Sequence, residues 1–228
     1  MRKYILILLL CLFSGTVSSQ VSLSYSAGYG TNDLEDLRDV MKYKLDIINR
    51  IAPGSVITDD FASPIIHTLE VSYLYQAEEF GVQISILNTT GTITHPETSM
   101  WKDSPEKYSL KGLRLGTLYR HPLAEVQLTS KYKLLILGEL SPGVTISSLK
   151  YTGAVPLNNG LDITDASTSK VSISILPMAA ARLHFTEKFG VQAAAGYDFS
   201  FGGKLDDAYR TKINWSGLRA RLGVFYVL

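Results

Sequence analysis

From Val21 onward, apolar residues alternate with polar or small ones in segments of about ten, the period of a strand with two unlike faces. The clearest segment is 191–203. Val191, Ala193, Ala195, Tyr197, Phe199 and Phe201 share one face; Gln192, Ala194, Gly196, Asp198, Ser200 and Gly202 share the other. The same pattern predicts strands over 21–30, 67–76, 81–89, 108–120, 134–151, 170–185 and 212–228. That makes eight, an even number, as in bacterial membrane barrels. Within 108–120 the alternation changes phase near Lys111, and the connection 121–133 is long for a turn.

The connections sort by length. Segments 78–81 and 186–190 are short and alike, whereas 31–63, 92–107, 153–169 and 204–211 are longer and polar. Short turns at one end and long loops at the other is the membrane-barrel arrangement, and it puts both termini at the short-turn end. One element departs from the strand period. Across 33–51, Leu34, Leu37, Met41, Leu45, Ile48 and Ile51 fall at helical spacing, and Pro53 and Gly54 stop the run. Asn32 and Glu35 read as a capping box. The expectation is an amphipathic helix in the first long loop, packed as a lid on the rim or lying at the lipid headgroups.

The N-terminus changes the compartment. Arg2 and Lys3 precede an unbroken apolar run, Tyr4 to Phe13, followed by small and polar residues. The run is too short for a membrane helix, which needs about 20 apolar residues, and reads as an export signal cleaved between Ser19 and Gln20. Cys11 would leave with it. Leu10 before it does not fit a lipoprotein signal, so 20–228 is read as one thiol-free domain. No later segment is apolar and long enough for a membrane helix, which leaves strands as the only spanning elements. The formal net charge is +1, with no basic cluster of the kind nucleic acid demands.

Candidate chemistry is sparse. Glu70, Arg114, Glu139, Arg182, Asp198, Arg219 and Arg221 fall on the inward faces, where a narrow barrel forces them to pair. A salt-bridged plug is the plain reading; a gate or solute site is the sharper one. Tyr73, Tyr75, Tyr119, Phe185 and Tyr226 are placed in an aromatic girdle at the short-turn side, and Tyr108, Tyr151, Phe201 and Trp215 in one at the other side. A carbohydrate-stacking site is the rival use of these rings. His67, His95, His121 and His184 lack metal-ligand spacing. His95 near Thr98, Ser99 and Asp103 supplies the parts of a lipid-editing site only by sequence nearness. No catalytic, cofactor-binding or metal residue is assigned.

The last residues are the most specific. Leu222, Val224, Tyr226 and Leu228 alternate to the terminus against Arg219, Arg221 and Gly223. Here the chain resembles the small outer-membrane barrels of the X and W type, with Leu228 where those families end in phenylalanine. The stretch Ala27-Gly28-Tyr29-Gly30-Thr31, followed by Asp33-Leu34-Glu35-Asp36-Leu37, together with Thr89-Thr90-Gly91-Thr92 before a long loop, resembles the Bacteroidetes-type outer-membrane barrel domain. The resemblance implies an all-β, eight-stranded antiparallel transmembrane barrel. It also implies outer-membrane lipid as surroundings and the barrel-assembly machinery as a partner during insertion, with no nucleic acid and no cofactor. The function expected is a non-enzymatic envelope-structural or surface-interaction role. The alternatives are a lipid-modifying barrel enzyme, a narrow channel or transporter for small hydrophobic molecules, and a soluble periplasmic ligand-binding barrel.

Overall fold

The computed structural model describes residues 20–96, 105–157, 160–205 and 211–228, with the backbone alone for 154–157 and 160–164. The segment read as an export signal, 1–19, lies outside them. The strands are β1 (Gln20–Gly30), β2 (Val56–Asp60), β3 (Ile65–Tyr75), β4 (Glu78–Thr94), β5 (Glu106–Gln127), β6 (Lys133–Leu157), β7 (Gly160–His184), β8 (Phe189–Gly202) and β9 (Gly217–Val227). One helix, α1 (Glu35–Asn49), lies between β1 and β2.

All ladders are antiparallel, in the order β2-β4-β3-β1-β9-β8-β7-β6-β5, and β4 also pairs with β5. That pairing closes the sheet. β2 attaches to Gly91–Thr94 of β4, beyond the point where β3 stops pairing at Leu87. Of the nine strands in the sheet, the ring therefore uses all but β2, which leaves eight. Closure removes the exposed edges that an open sheet presents, so every wall strand has a neighbour on both sides.

The two faces have opposite chemistry. On β3, Thr68, Glu70 and Ser72 are buried while Leu69, Val71 and Tyr73 are exposed. On β9, Arg219, Arg221 and Phe225 are buried while Leu218, Leu222, Val224 and Tyr226 are exposed. This inverts a water-soluble protein, in which contiguous apolar surface is kept small. The outward apolar stretch runs from Leu134 to Ile146 on β6, from Val171 to Leu183 on β7 and from Leu218 to Leu228 on β9. Those stretches reach or slightly exceed the roughly 9–11 residues a tilted strand needs to cross a hydrocarbon core. The turn-side girdle is present as expected. Tyr73 stacks on Phe80 at 5.8 Å and Phe80 meets Tyr119 at 5.3 Å; across the barrel, Phe185 lies 6.1 Å from both Tyr132 and Phe189.

The belt ends abruptly at the other side. Ile86, Leu113, Ile146 and Val171 are partners across β4, β5, β6 and β7 and all face outward. Two residues further, the partners are Asn88, Lys111, Ser148 and Ser169. The walls continue past that line as a polar extension. β6 and β7 pair up to Leu157 and Gly160, so the segment 153–169, expected to be a loop, is the end of a long hairpin. The long connection 121–133 is likewise mostly strand: β5 runs to Gln127 through a register shift between Pro122 and Ala124, and Leu128 N–H donates to Tyr132 O at 2.9 Å across the turn.

Candidate functional site: a charged interior beneath an apolar lid

Two layers fill the barrel. In the turn-side half, Arg120 is the hub, 1% exposed. It comes from β5 and reaches Glu139 of β6 (Nε to Oε2, 2.8 Å), Glu79 of β4 (Nη1 to Oε1, 2.9 Å) and Glu70 of β3 (Nη2 to Oε2, 2.7 Å). Arg221 of β9 lies 2.6 Å from Glu70 Oε1 and 2.6 Å from Glu139 Oε1. Arg182 of β7 takes Glu79 at 2.6 and 3.1 Å and Gln192 Oε1 at 3.0 Å. Ser24 donates to Glu70 at 2.6 Å and Ser72 donates to Glu79. Three guanidinium groups thus meet three carboxylates, each from a different wall strand, with Arg120 the direct cross-strand partner of both Glu79 and Glu139. A buried charge is tolerated only with this degree of pairing and hydrogen bonding.

Higher up, Asp198 lies 3.9 Å from Arg114 Nε and 3.6 Å from Arg219 Nη2. Arg114 also donates to Ser174 Oγ at 2.8 Å and to the Ser141 carbonyl, and Arg219 donates to the Trp215 and Thr31 carbonyls. Beside this group is a cavity of about 30 Å³, lined by Thr68, Ser85, Arg114, Asp198 and Arg219 among others, with room for water and little else. At the turn end a vestibule of about 300 Å³, lined by Gln20, Glu79, Arg120, Lys133 and His184, stops at the arginine layer.

The long-loop end is closed by apolar side chains. Leu34, Leu37, Met41 and Ile48 of the α1 region are buried with Phe61, Leu87, Ile93, Tyr108, Leu110, Ile213 and Trp215. Helix formation follows the 3.6-residue spacing, with Glu35 and Asp36 in the first turn favoured by the helix dipole. The capping box does not form: the N-cap position falls on Leu34, which has no side-chain acceptor, and Asn32 Oδ1 accepts from Arg38 Nη2 at 3.0 Å. Two glycines make room for the lid. A Cβ at Gly91 would strike Met41 Sδ and the Phe61 ring, and one at Gly112 would sit 3.1 Å from the Trp215 indole. The lid is tied to the walls by Trp215 Nε1 donating to Ser147 Oγ at 2.9 Å and by Asn214 Nδ2 donating to Asp33 Oδ2 at 2.7 Å. Tyr151 OH donates to Glu106 Oε2 at 2.9 Å, and Lys44 of α1 lies over the Tyr151 ring at 5.4 Å. Burial, then the neighbouring Glu106 carboxylate, pushes the Tyr108 and Tyr151 hydroxyls well above the ordinary tyrosine range.

All seven charges expected inside are there, and the helix packs as a lid rather than at the headgroups. Two charges central to the network, Glu79 and Arg120, were not singled out by the sequence. Glu79 sits where the pattern predicts a turn, and Arg120 at the last position of a predicted strand; the even-numbered face it shares with Arg114 is the available signal. Tyr108, Tyr151 and Trp215 are corrections: they lie inside, in or against the lid core, and not in an outer girdle. Phe201 does face outward, 58% exposed.

The histidines are not brought together. His67 Nδ1 is 2.8 Å from Tyr25 OH, His121 Nδ1 is 2.7 Å from Glu78 Oε1, His95 Nδ1 is 3.0 Å from Ser55 Oγ, and His184 meets the Phe225 ring edge-on at 4.7 Å. Thr98, Ser99 and Asp103 lie outside the described residues. Among the described residues no group of three metal-binding side chains occurs.

Fold and interior together define an eight-stranded antiparallel barrel with an apolar outer belt, a charged core and a lid helix in its first long loop. No protein-family model matches the sequence, and no curated protein does. Among solved structures, it is similar to Neisserial surface protein A, with 11% identity, a TM-score of 0.46, and 93% of this chain and 99% of that one covered. It is also similar to the attachment invasion locus protein Ail of Yersinia pestis, with 16% identity, a TM-score of 0.38, and 92% and 97% covered. The N-terminal β-barrel domain of Pseudomonas aeruginosa OprF gives 12% identity, a TM-score of 0.37, and 92% and 100% covered. These are distant likenesses; the barrel itself rests on the closed ladder.

Proposed function

We propose that this chain is a non-enzymatic integral outer-membrane barrel, closed to solutes, with an envelope-structural role and a surface offered by its lid and long hairpins. The observation that carries the reading is the inverted polarity of the wall: apolar side chains face out along a membrane-length belt while, among the described residues, ten charged side chains (Glu70, Glu79, Glu106, Arg114, Arg120, Glu139, Arg182, Asp198, Arg219 and Arg221) are buried within. Export by the 1–19 segment and recognition of the alternating terminal residues Leu222, Val224, Tyr226 and Leu228 by the barrel-assembly machinery belong to the same reading. So does the finer kinship with barrels of the X and W type or the Bacteroidetes-type domain. The separation of the histidines supports a non-enzymatic role, and the paired interior and apolar lid support a closed barrel over a channel.

The test is expression of the full chain in a Gram-negative host. The expected result is protein in the outer-membrane fraction that migrates differently before and after boiling and gives no step conductance in a planar bilayer. Recovery in the soluble periplasmic fraction sinks the membrane reading, and steady conductance sinks the closed one.

A further inference from the structure

Above the end of the apolar belt the outward face of β4–β7 is polar, with three lysines to one aspartate among its described residues. Its successive rungs are Asn88, Lys111, Ser148 and Ser169; then Thr90, Ser109, Lys150 and Ser167; then Thr92, Lys107, Thr152 and Asp165. Lys150 is directly opposite Ser109, so it stands diagonal to both Lys107 and Lys111. Diagonal neighbours on one sheet face are about 7–8 Å apart, close enough for three flexible ammonium groups to converge on one anion. All three are exposed. The acids near them among the described residues are Asp165, 3.1 Å from Lys150, and Asp59, which accepts from Thr90. Lys107 and Lys111 have no ion-pair partner among the described residues. Hydroxyl and amide groups of Asn88, Ser109, Ser148 and Ser167 surround the trio and can donate to phosphate oxygens.

The position decides the ligand. Directly below, on the same strands, lie Ile86, Leu113, Ile146 and Val171 and then the rest of the belt. A lipid whose acyl chains lie along those residues brings its headgroup to the lysines. A soluble anion would gain nothing from that continuity. We propose that Lys107, Lys111 and Lys150 form a seat for the phosphorylated headgroup of a membrane lipid whose chains lie on the β4–β7 belt. The proposal rests on the outer-membrane reading above and names the lipid chemistry that reading would place at this face.

The test uses the full-length barrel, folded in a neutral detergent and shown to be heat-modifiable, with native mass spectrometry reading bound lipid. The probes are bis-phosphorylated lipid A and the same lipid with both phosphates removed. Wild type should retain the phosphorylated form preferentially. Each lysine near an anionic headgroup is worth a factor of about five in affinity. The combined variant Lys107→Gln, Lys111→Gln, Lys150→Gln should therefore lose the preference and hold both lipids alike. A control with Lys131→Gln and Lys188→Gln at the turn end should keep it. Equal retention of both lipids by wild type overturns the proposal, as does an unchanged preference in the triple variant. A barrel absent from the membrane in cells defeats the outer-membrane reading first; a heat-modifiable barrel that ignores the phosphates defeats the lysine seat alone.

Discussion

Arg120 illustrates what a narrow interior demands of a single side chain. Its guanidinium answers Glu70, Glu79 and Glu139 at once, and each of those carboxylates has a second arginine, Arg221 or Arg182, on its far side. Truncating Arg120 leaves three carboxylates sharing two cations in a space without bulk water. Removing one partner of a buried ionic group costs about 3–5 kcal/mol, so Arg120→Met should destabilise the folded barrel by that order. Adding Glu139→Gln should return part of the loss, because the two changes act on one network and do not add. Urea unfolding in lipid vesicles, followed by tryptophan fluorescence, measures both. An Arg120→Met barrel as stable as wild type would mean that the modest net worth of a buried ion pair, not its disruption, governs here.

At the scale of elements, α1 is held chiefly by its apolar face: its N-terminus has no side-chain cap, Leu37, Met41 and Ile48 fill the mouth, and polar ties such as Lys212 N–H to Asp36 Oδ2 at 3.0 Å and Arg38 beside Asp60 at 3.6 Å lie at its margin. The wall ladders do not depend on it. Leu37→Ala with Met41→Ala should cost about 2–5 kcal/mol per site in lid stability while the barrel stays intact. Faster trypsin cleavage at Arg38, Lys42 or Lys44, with unchanged heat-modifiability, is the expected outcome. Cleavage at the wild-type rate would show that polar ties such as Asn214–Asp33 suffice. The helix was legible because its period differs from that of every strand around it. The strand ends were not, and β5 shows why. Its even-numbered residues face inward throughout, from Glu106 to Arg120. What changes near Lys111 is the filling: Tyr108 and Leu110 meet the lid, whereas Arg114 and Arg120 meet the charge network. A period-two pattern assigns sides by polarity, so an interior that turns from charged to apolar mimics a slipped phase. The same switch hid Tyr108, Tyr151 and Trp215 among the girdle aromatics, and the polar outer face of β6 and β7 beyond Ser148 made paired strand look like loop.

For the whole molecule, the two fillings lie in series along one axis, and the closed-barrel proposal implies that each alone blocks it. The lid is apolar and the network below it is ionic, so no single substitution opens both. A lid released by Met41→Asp, which puts a carboxylate into the apolar mouth, should still leave the barrel non-conducting because the arginine layer remains. Replacing Arg120, Arg221, Glu70 and Glu139 together by serine removes the hub while keeping the interior charge balanced, so it avoids the penalty of stranded charges. That variant should also stay closed, beneath an intact lid. Only the combination is expected to pass ions in a planar bilayer, with heat-modifiability confirming that each barrel is folded. Conductance from the released lid alone would assign the whole barrier to α1 and leave the charge network a structural role. Silence from the combination would place the barrier in what remains, above all Arg114, Arg182 and Arg219, and would make the wall's own narrowness the reason this barrel is shut.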